Sequence, residues 1–514
     1  MTSGSVSCEE GTDSNMPVDM NRKLLQIGDV YALQEKETGK WFAFQIVNLG
    51  QENAVYVDLD YWSEQEPTQG DLTSMDYLRL NHHLWNNTIH YRWAPYELFP
   101  IRAKLIGNID IRPLDECKCH GNWPDGSQQK WTESWNELPK EQVRAFKVAL
   151  AQKDHTIIIA GKEEKKCSYG VFDDTLSLLS DFSELDKLPG LGRIVTNKEY
   201  PQMIPFLERR HLIRELIWND CKLKDVDLSC THLEELEISG KDIEIIRLPA
   251  RTKIITLKGK LSPKLKIISP NDGYFMTLRV EMQDDFLPDV GLSRLTTLVL
   301  KHIRNFSLKT ITSRFPDLFW LGLTGKPGYI RDVDEITKLH DLETLTMDDL
   351  FGFSADEFPQ PESLPELKRL WLESIPSDAA KAIKKRYKSN VHDMHVLKPR
   401  SDEWLHENLN NPLRHWDGNE FISKSKYSKS LALWKETRRR LLEAVAFSDA
   451  YIPSIDRIVI DYVEGFNKLD SRSQFIETEE REDIINAFIQ ILDEAGICKE
   501  RNNIMQLIDD NRNW

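Results

Sequence analysis

The stretch "LKRLWLESI" (residues 367–375) alternates apolar and polar side chains. As a strand it places Leu370 and Leu372 on one face and Arg369, Trp371 and Glu373 on the other. Leu367, three residues before Leu370, completes the pattern apolar-x-x-apolar-x-apolar. Its tryptophan, flanked by opposite charges, falls on the polar side. The pattern recurs to both sides of this stretch, and its recurrence decides the reading of the central chain.

Upstream copies are Ile213-Leu216-Trp218, Leu233-Leu236-Ile238, Thr252-Ile255-Leu257, Leu295-Leu298-Leu300, Leu318-Leu321-Leu323 and Leu342-Leu345-Met347. Val391-Met394-Val396 follows downstream. Two less regular copies begin at Leu265 and Phe275, too close together for both to be full units, so one of them opens a short turn. Most other copies start roughly 20–25 residues apart. Over residues 205–398 the chain resembles leucine-rich-repeat proteins, and "ELIWNDC" (residues 215–221) carries Cys221 at that family's Asn/Cys position. The resemblance implies an α/β solenoid that stacks one buried strand per repeat. The alternative is an ordinary α/β domain with leucine-rich strands.

The N-terminal region reads differently. "IGDVYALQ" (27–34), "KWFAFQIVNL" (40–49) and "NAVYVDLDYW" (53–62) are strand-like, with a turn at Glu37-Thr38-Gly39-Lys40. These strands resemble the start of bacterial immunity proteins of polymorphic toxin systems (immunity protein 26 type). A generic small barrel is the alternative. "LPKEQVRAFKVALAQ" (138–152) reads as a helix with Pro139 at its first position, "HTIIIAG" (155–161) as a buried strand and residues 187–201 as loop. After residue 400 the period becomes helical: Ile455, Ile458, Val459, Tyr462, Val463 and Phe466 share one stripe, and Ile484, Ile485, Phe488, Ile491 and Leu492 another.

The expected class is therefore a multidomain α+β chain: a leader at 1–24, a β-rich barrel-like domain at 25–112, a mixed region at 113–204, the solenoid at 205–398 and a helical domain at 399–514. The chain has 67 Lys and Arg against 83 Asp and Glu, a net charge of −16. That balance argues against a general nucleic-acid or anionic-membrane binder, which needs clustered positive charge. No run approaches the about 20 apolar residues of a membrane helix. Seven unevenly spaced cysteines and a polar N-terminus fit a reducing cytoplasm.

Catalytic signatures are missing: no phosphate-binding loop, no H-E-x-x-H and no G-x-S-x-G occurs. Cys117, Cys119 and His120 are soft ligands in one short segment, but a second ligand pair at zinc spacing is lacking, so no cofactor is expected. Cys498, in "GICKERN", is the position at which a ligase-like reading would place a nucleophile. That reading rests on a resemblance to bacterial leucine-rich-repeat ubiquitin ligases, whose acidic residue two positions on is Asp; here it is Glu500.

The expected site is the row of outward strand positions: Glu215, Glu235, Glu237, Arg279, Glu281, Lys301, Trp320, Asp348, Arg369, Trp371, Glu373 and His395. Exposed Trp beside Arg has the composition of an interface hot spot, and the acidic end suits a basic partner. The resemblance at residues 27–62 implies a non-catalytic immunity protein that occludes a cognate toxin domain on this face. A general scaffold or adaptor shares every one of these features.

Overall fold

The computed structural model describes residues 25–100, 102–112, 119–447, 452–471, 474–497 and 501–514. The expected leader at 1–24, Cys117 and Cys498 lie outside them. The chain divides into two compact units, Met1–Leu278 with Pro288–Leu292, and Arg279–Leu287 with Ser293–Trp514.

The first unit opens with a six-stranded sheet. Its order is Lys104–Asn108, Asp29–Gln34, Trp41–Leu49, Asn53–Ser63, Tyr91–Pro95 and Cys119–His120, antiparallel except for the last pair. Trp41–Leu49 is buried along most of its length because both sheet faces are covered. Phe42, Phe44 and Ile46 join Tyr56 and Trp123 on one side, while Ala43 and Val47 join Val55, Val57 and Tyr91 on the other. The sheet extends past the expected boundary at 112, since Trp123 packs into this core and Tyr56 bonds the Asn122 carbonyl at 2.6 Å.

Eleven parallel strands follow, hydrogen-bonded in chain order: Gly170–Val171, Arg193–Thr196, Glu215–Trp218, Glu235–Ser239, Ile254–Lys258, Thr277–Glu281, Thr297–Ser307, Trp320–Arg331, Thr344–Phe351, Arg369–Glu373 and Asp393–Leu397. Parallel register stacks like on like. Leu216, Leu236 and Ile255 lie in one row of the first unit, and Leu321, Leu345 and Leu370 in one row of the second. All six are at most 1 % exposed. Left-handed residues follow several strands, Asp220, Gly259, Ser374 and Lys398 among them, and turn the chain out of the sheet.

This architecture corrects the expected class. Among the described residues the N-terminal strands do not close into a barrel, because no pairing joins Lys104–Asn108 to Cys119–His120. The central region is parallel sheet with short helices and turns as connections, an α/β arrangement, in place of the α+β chain with a repeat solenoid. Leucine spacing specifies a buried strand face; it does not specify how a sheet curves or closes. The parallel sheet also begins earlier than expected, at Gly170, inside what reads as connecting sequence and loop. Of the two crowded copies, Phe275 leads into a sheet strand, while residues 266–268 belong to a separate three-stranded sheet with Asp225–Asp227 and Ile245–Arg247.

Smaller differences have local causes. Pro139 caps the helix Lys140–Ala151 instead of opening it. Among the described residues Thr156–Ile159 pairs only with Lys162–Lys165, and Ile158 is 58 % exposed. In the second unit the helices Lys424–Phe447, Ile452–Asp470, Thr478–Glu494 and Arg501–Asn511 enclose Trp434, Tyr462, Phe466, Phe488 and Ile491. The two expected apolar stripes supply ten of the 22 buried residues of that core, and Ile485 packs against it only partly buried.

Candidate functional site

Strands Trp320–Arg331, Thr344–Phe351, Arg369–Glu373 and Asp393–Leu397 set up the expected face in the second unit. Register aligns Trp320, Thr344, Arg369 and Asp393 in one row, and Gly322, Thr346, Trp371 and His395 in the next. Leu321, between these rows, and Leu323, beyond the second, point inward. Trp320 and Trp371 are 44 % and 41 % exposed. They lie two strands, about 10 Å, apart across the sheet and one same-face step along it. Thr344, Thr346 and Gly322 form the low floor between them. A Cβ on Gly322 would meet Thr346 Oγ1 at 3.2 Å.

Trp371 is held in place. The Arg369 guanidinium lies 5.0 Å from its ring centroid, and His395 meets it edge-on at 5.5 Å. Arg369 Nε is 2.9 Å from one Asp393 carboxylate oxygen and His395 Nε2 is 3.1 Å from the other. Burial raises the Asp393 carboxyl, but hydrogen bonds from Trp371 and Arg369 outweigh it and leave it below its ordinary range. Pre-ordering of this kind lowers the side-chain entropy lost on association.

The C-terminal segment docks beside this face without covering it. Arg414 pairs with the fully buried Asp349, Arg400 reaches Asp417 at 2.9 Å, and the Arg400 guanidinium lies 4.2 Å from the Trp404 ring. Asp348 is pushed up, mainly by burial and then by the charge of Glu373. Glu373 itself bonds Lys398 at 2.8 Å. Arg279 and Lys301 are exposed and Glu281 is half-buried.

The expected acidic end lies in the first unit, and most of it is paired. Glu215 pairs with Arg193 and accepts from the Tyr169 hydroxyl at 2.8 Å; Glu237 bonds Lys258 at 2.7 Å. Glu235 is exposed. Among the described residues no three His, Cys, Asp or Glu side chains gather as a metal site. Cys119 and His120 are placed by their backbone in a two-residue strand.

A cavity of about 630 Å³ opens in the first unit, and sequence reasoning missed it. Its walls come from distant segments: His82 to Trp85, Trp131 on the helix Ser127–Asn136, Tyr169, and the residue pairs Arg214-Glu215 and Glu234-Glu235. The run "HHLW" (82–85) was its one visible signal, four ring-bearing or apolar residues in a short connection.

No protein-family model matches the chain, and no curated protein matches it. No helix among the described residues is long and apolar enough to cross a membrane.

Proposed function

We propose that the chain is a non-catalytic protein-binding protein of the cytoplasm whose recognition surface is the outward face of the parallel strands in the second unit. The observation that carries this reading is the pair Trp320 and Trp371, large aromatic rings exposed over a floor of Thr and Gly and, for Trp371, fixed by Arg369, Asp393 and His395. Preorganised aromatic and Arg anchors concentrate binding energy in protein interfaces. The resemblance of residues 27–62 to immunity proteins supports a toxin domain as the partner, blocked by occlusion, and the net charge of −16 suits a basic one.

The test is co-expression with the toxin encoded beside its gene. The intact chain should restore growth and co-purify with the toxin. A Trp320→Ala, Trp371→Ala double variant should lose capture by at least about a hundredfold, the scale of two interface anchors, while keeping its circular-dichroism spectrum. Equal capture by the folded double variant would remove this face as the recognition surface.

A further inference from the structure

The cavity of the first unit is built for a specific kind of group. Lys147 Nζ donates to the carbonyls of His83, at 2.8 Å, and Trp85, and so staples the connection that carries them. His83 is held at φ 46°, in the left-handed region a non-glycine residue enters only under constraint. Its ring lies 5.1 Å from that of Trp135.

The hydrogen bonds assign the tautomers of the two imidazoles. Burial lowers both, His83 to about 4, so both are neutral at neutral pH. His82 Nε2 lies 3.1 Å from Gln128 Oε1, an acceptor, and therefore carries the proton. Its Nδ1 then accepts from His83 Nδ1, 2.9 Å away. His83 Nε2 is left with a lone pair, a hydrogen-bond acceptor on a residue that lines the cavity.

The carboxylates complete the pattern. Glu215 and Glu235 stand opposite each other on neighbouring parallel strands, a like-charge pair in register. Arg193 neutralises Glu215, and Arg214 and Lys253 neutralise Glu234. Among the described residues Glu235 forms no ion pair within 4 Å, and Arg193, committed to Glu215, acts on it only at longer range. One guanidinium already sits at this rim: Arg193 bonds Glu215 and lies 5.8 Å from the centroid of the Tyr169 ring. Glu235, the indoles of Trp85 and Trp131 and the free acceptor of His83 repeat that pairing of carboxylate and aromatic ring. Leu84, 77 % exposed at the mouth, offers an apolar surface for an alkyl stem.

We infer that this cavity binds the side chain of an arginine presented by a peptide or protein. The planar guanidinium stacks on indole, donates in pairs to the Glu235 carboxylate and donates once to His83 Nε2. The site is independent of the tryptophan face, and its test uses neither tryptophan of that face.

Nα-acetyl-arginine amide is titrated calorimetrically into the full chain, with Nα-acetyl-citrulline amide, of the same shape but uncharged, as comparison. Saturable binding of the arginine probe is expected, with the citrulline probe at least about tenfold weaker, one lost charge-assisted contact. Glu235→Gln, with an unchanged thermal midpoint, should weaken the arginine probe by a similar factor. Equal binding of the two probes to the native chain, no saturable binding of either, or full affinity in a folded Glu235→Gln variant would each overturn the inference.

Discussion

At the scale of single residues, neutral imidazoles leave a measurable mark. His232 packs against His211 with ring centroids 3.9 Å apart and is lowered to about 4, first by burial and then by its neighbour's charge. His83 is lowered to about 4 by burial and by Arg214. A folded-state value below the unfolded 6.5 means that the unfolded chain takes up more protons between these values. The stability these groups contribute is complete above about pH 6.5 and is lost as pH falls toward 4. Thermal unfolding should therefore shift down by several degrees between pH 7 and pH 4.5, and a His232→Gln variant should lose roughly 2–4 °C of that shift. A midpoint that does not move with pH would contradict the assignment. Trp371 belongs to the same scale. Its position on the outward face was legible from alternation alone, whereas its partners His395 and Asp393, on the next strand, came only from register.

At the scale of elements, burial follows the period of the sequence closely. Leu345 is fully buried between Leu321 and Leu370 in its row. Leu345→Ala should cost about 2–5 kcal/mol, read as a lowered denaturation midpoint; the outward Thr344→Ala should cost far less. Comparable losses for the two would mean the strand does not bury the face its leucines define. Long strands and long helices were legible because each repeats its signal over many residues. The four-residue strand Arg193–Thr196, with only Ile194 and Thr196 pointing inward, carries too few repeats of the signal to stand out from a loop. "HTIIIAG" misled in the other direction: three isoleucines suggest a buried strand, but a two-stranded hairpin leaves Ile158 in water.

At the scale of the whole molecule, the charge of −16 acts at a distance. Association with a basic partner should slow by about tenfold or more between roughly 0.05 and 0.5 M salt, measurable by stopped-flow mixing; a salt-independent rate would show that the net charge does not steer encounter. By itself the sequence determined which side chains of the long, regularly alternating strands lie inside and which lie outside. Leu370 and Leu372 are buried and Trp371 exposed because a strand's period of two is a local property, independent of what it packs against. It likewise determined the inward stripes of the C-terminal helices. Only the tertiary structure decided that the first sheet stays open, that the parallel strands begin at Gly170, and that His83, Trp131, Tyr169 and Glu235 share one cavity. Those outcomes join residues far apart in the chain. They depend on strand pairing and side-chain packing across long loops, and no local periodicity encodes them.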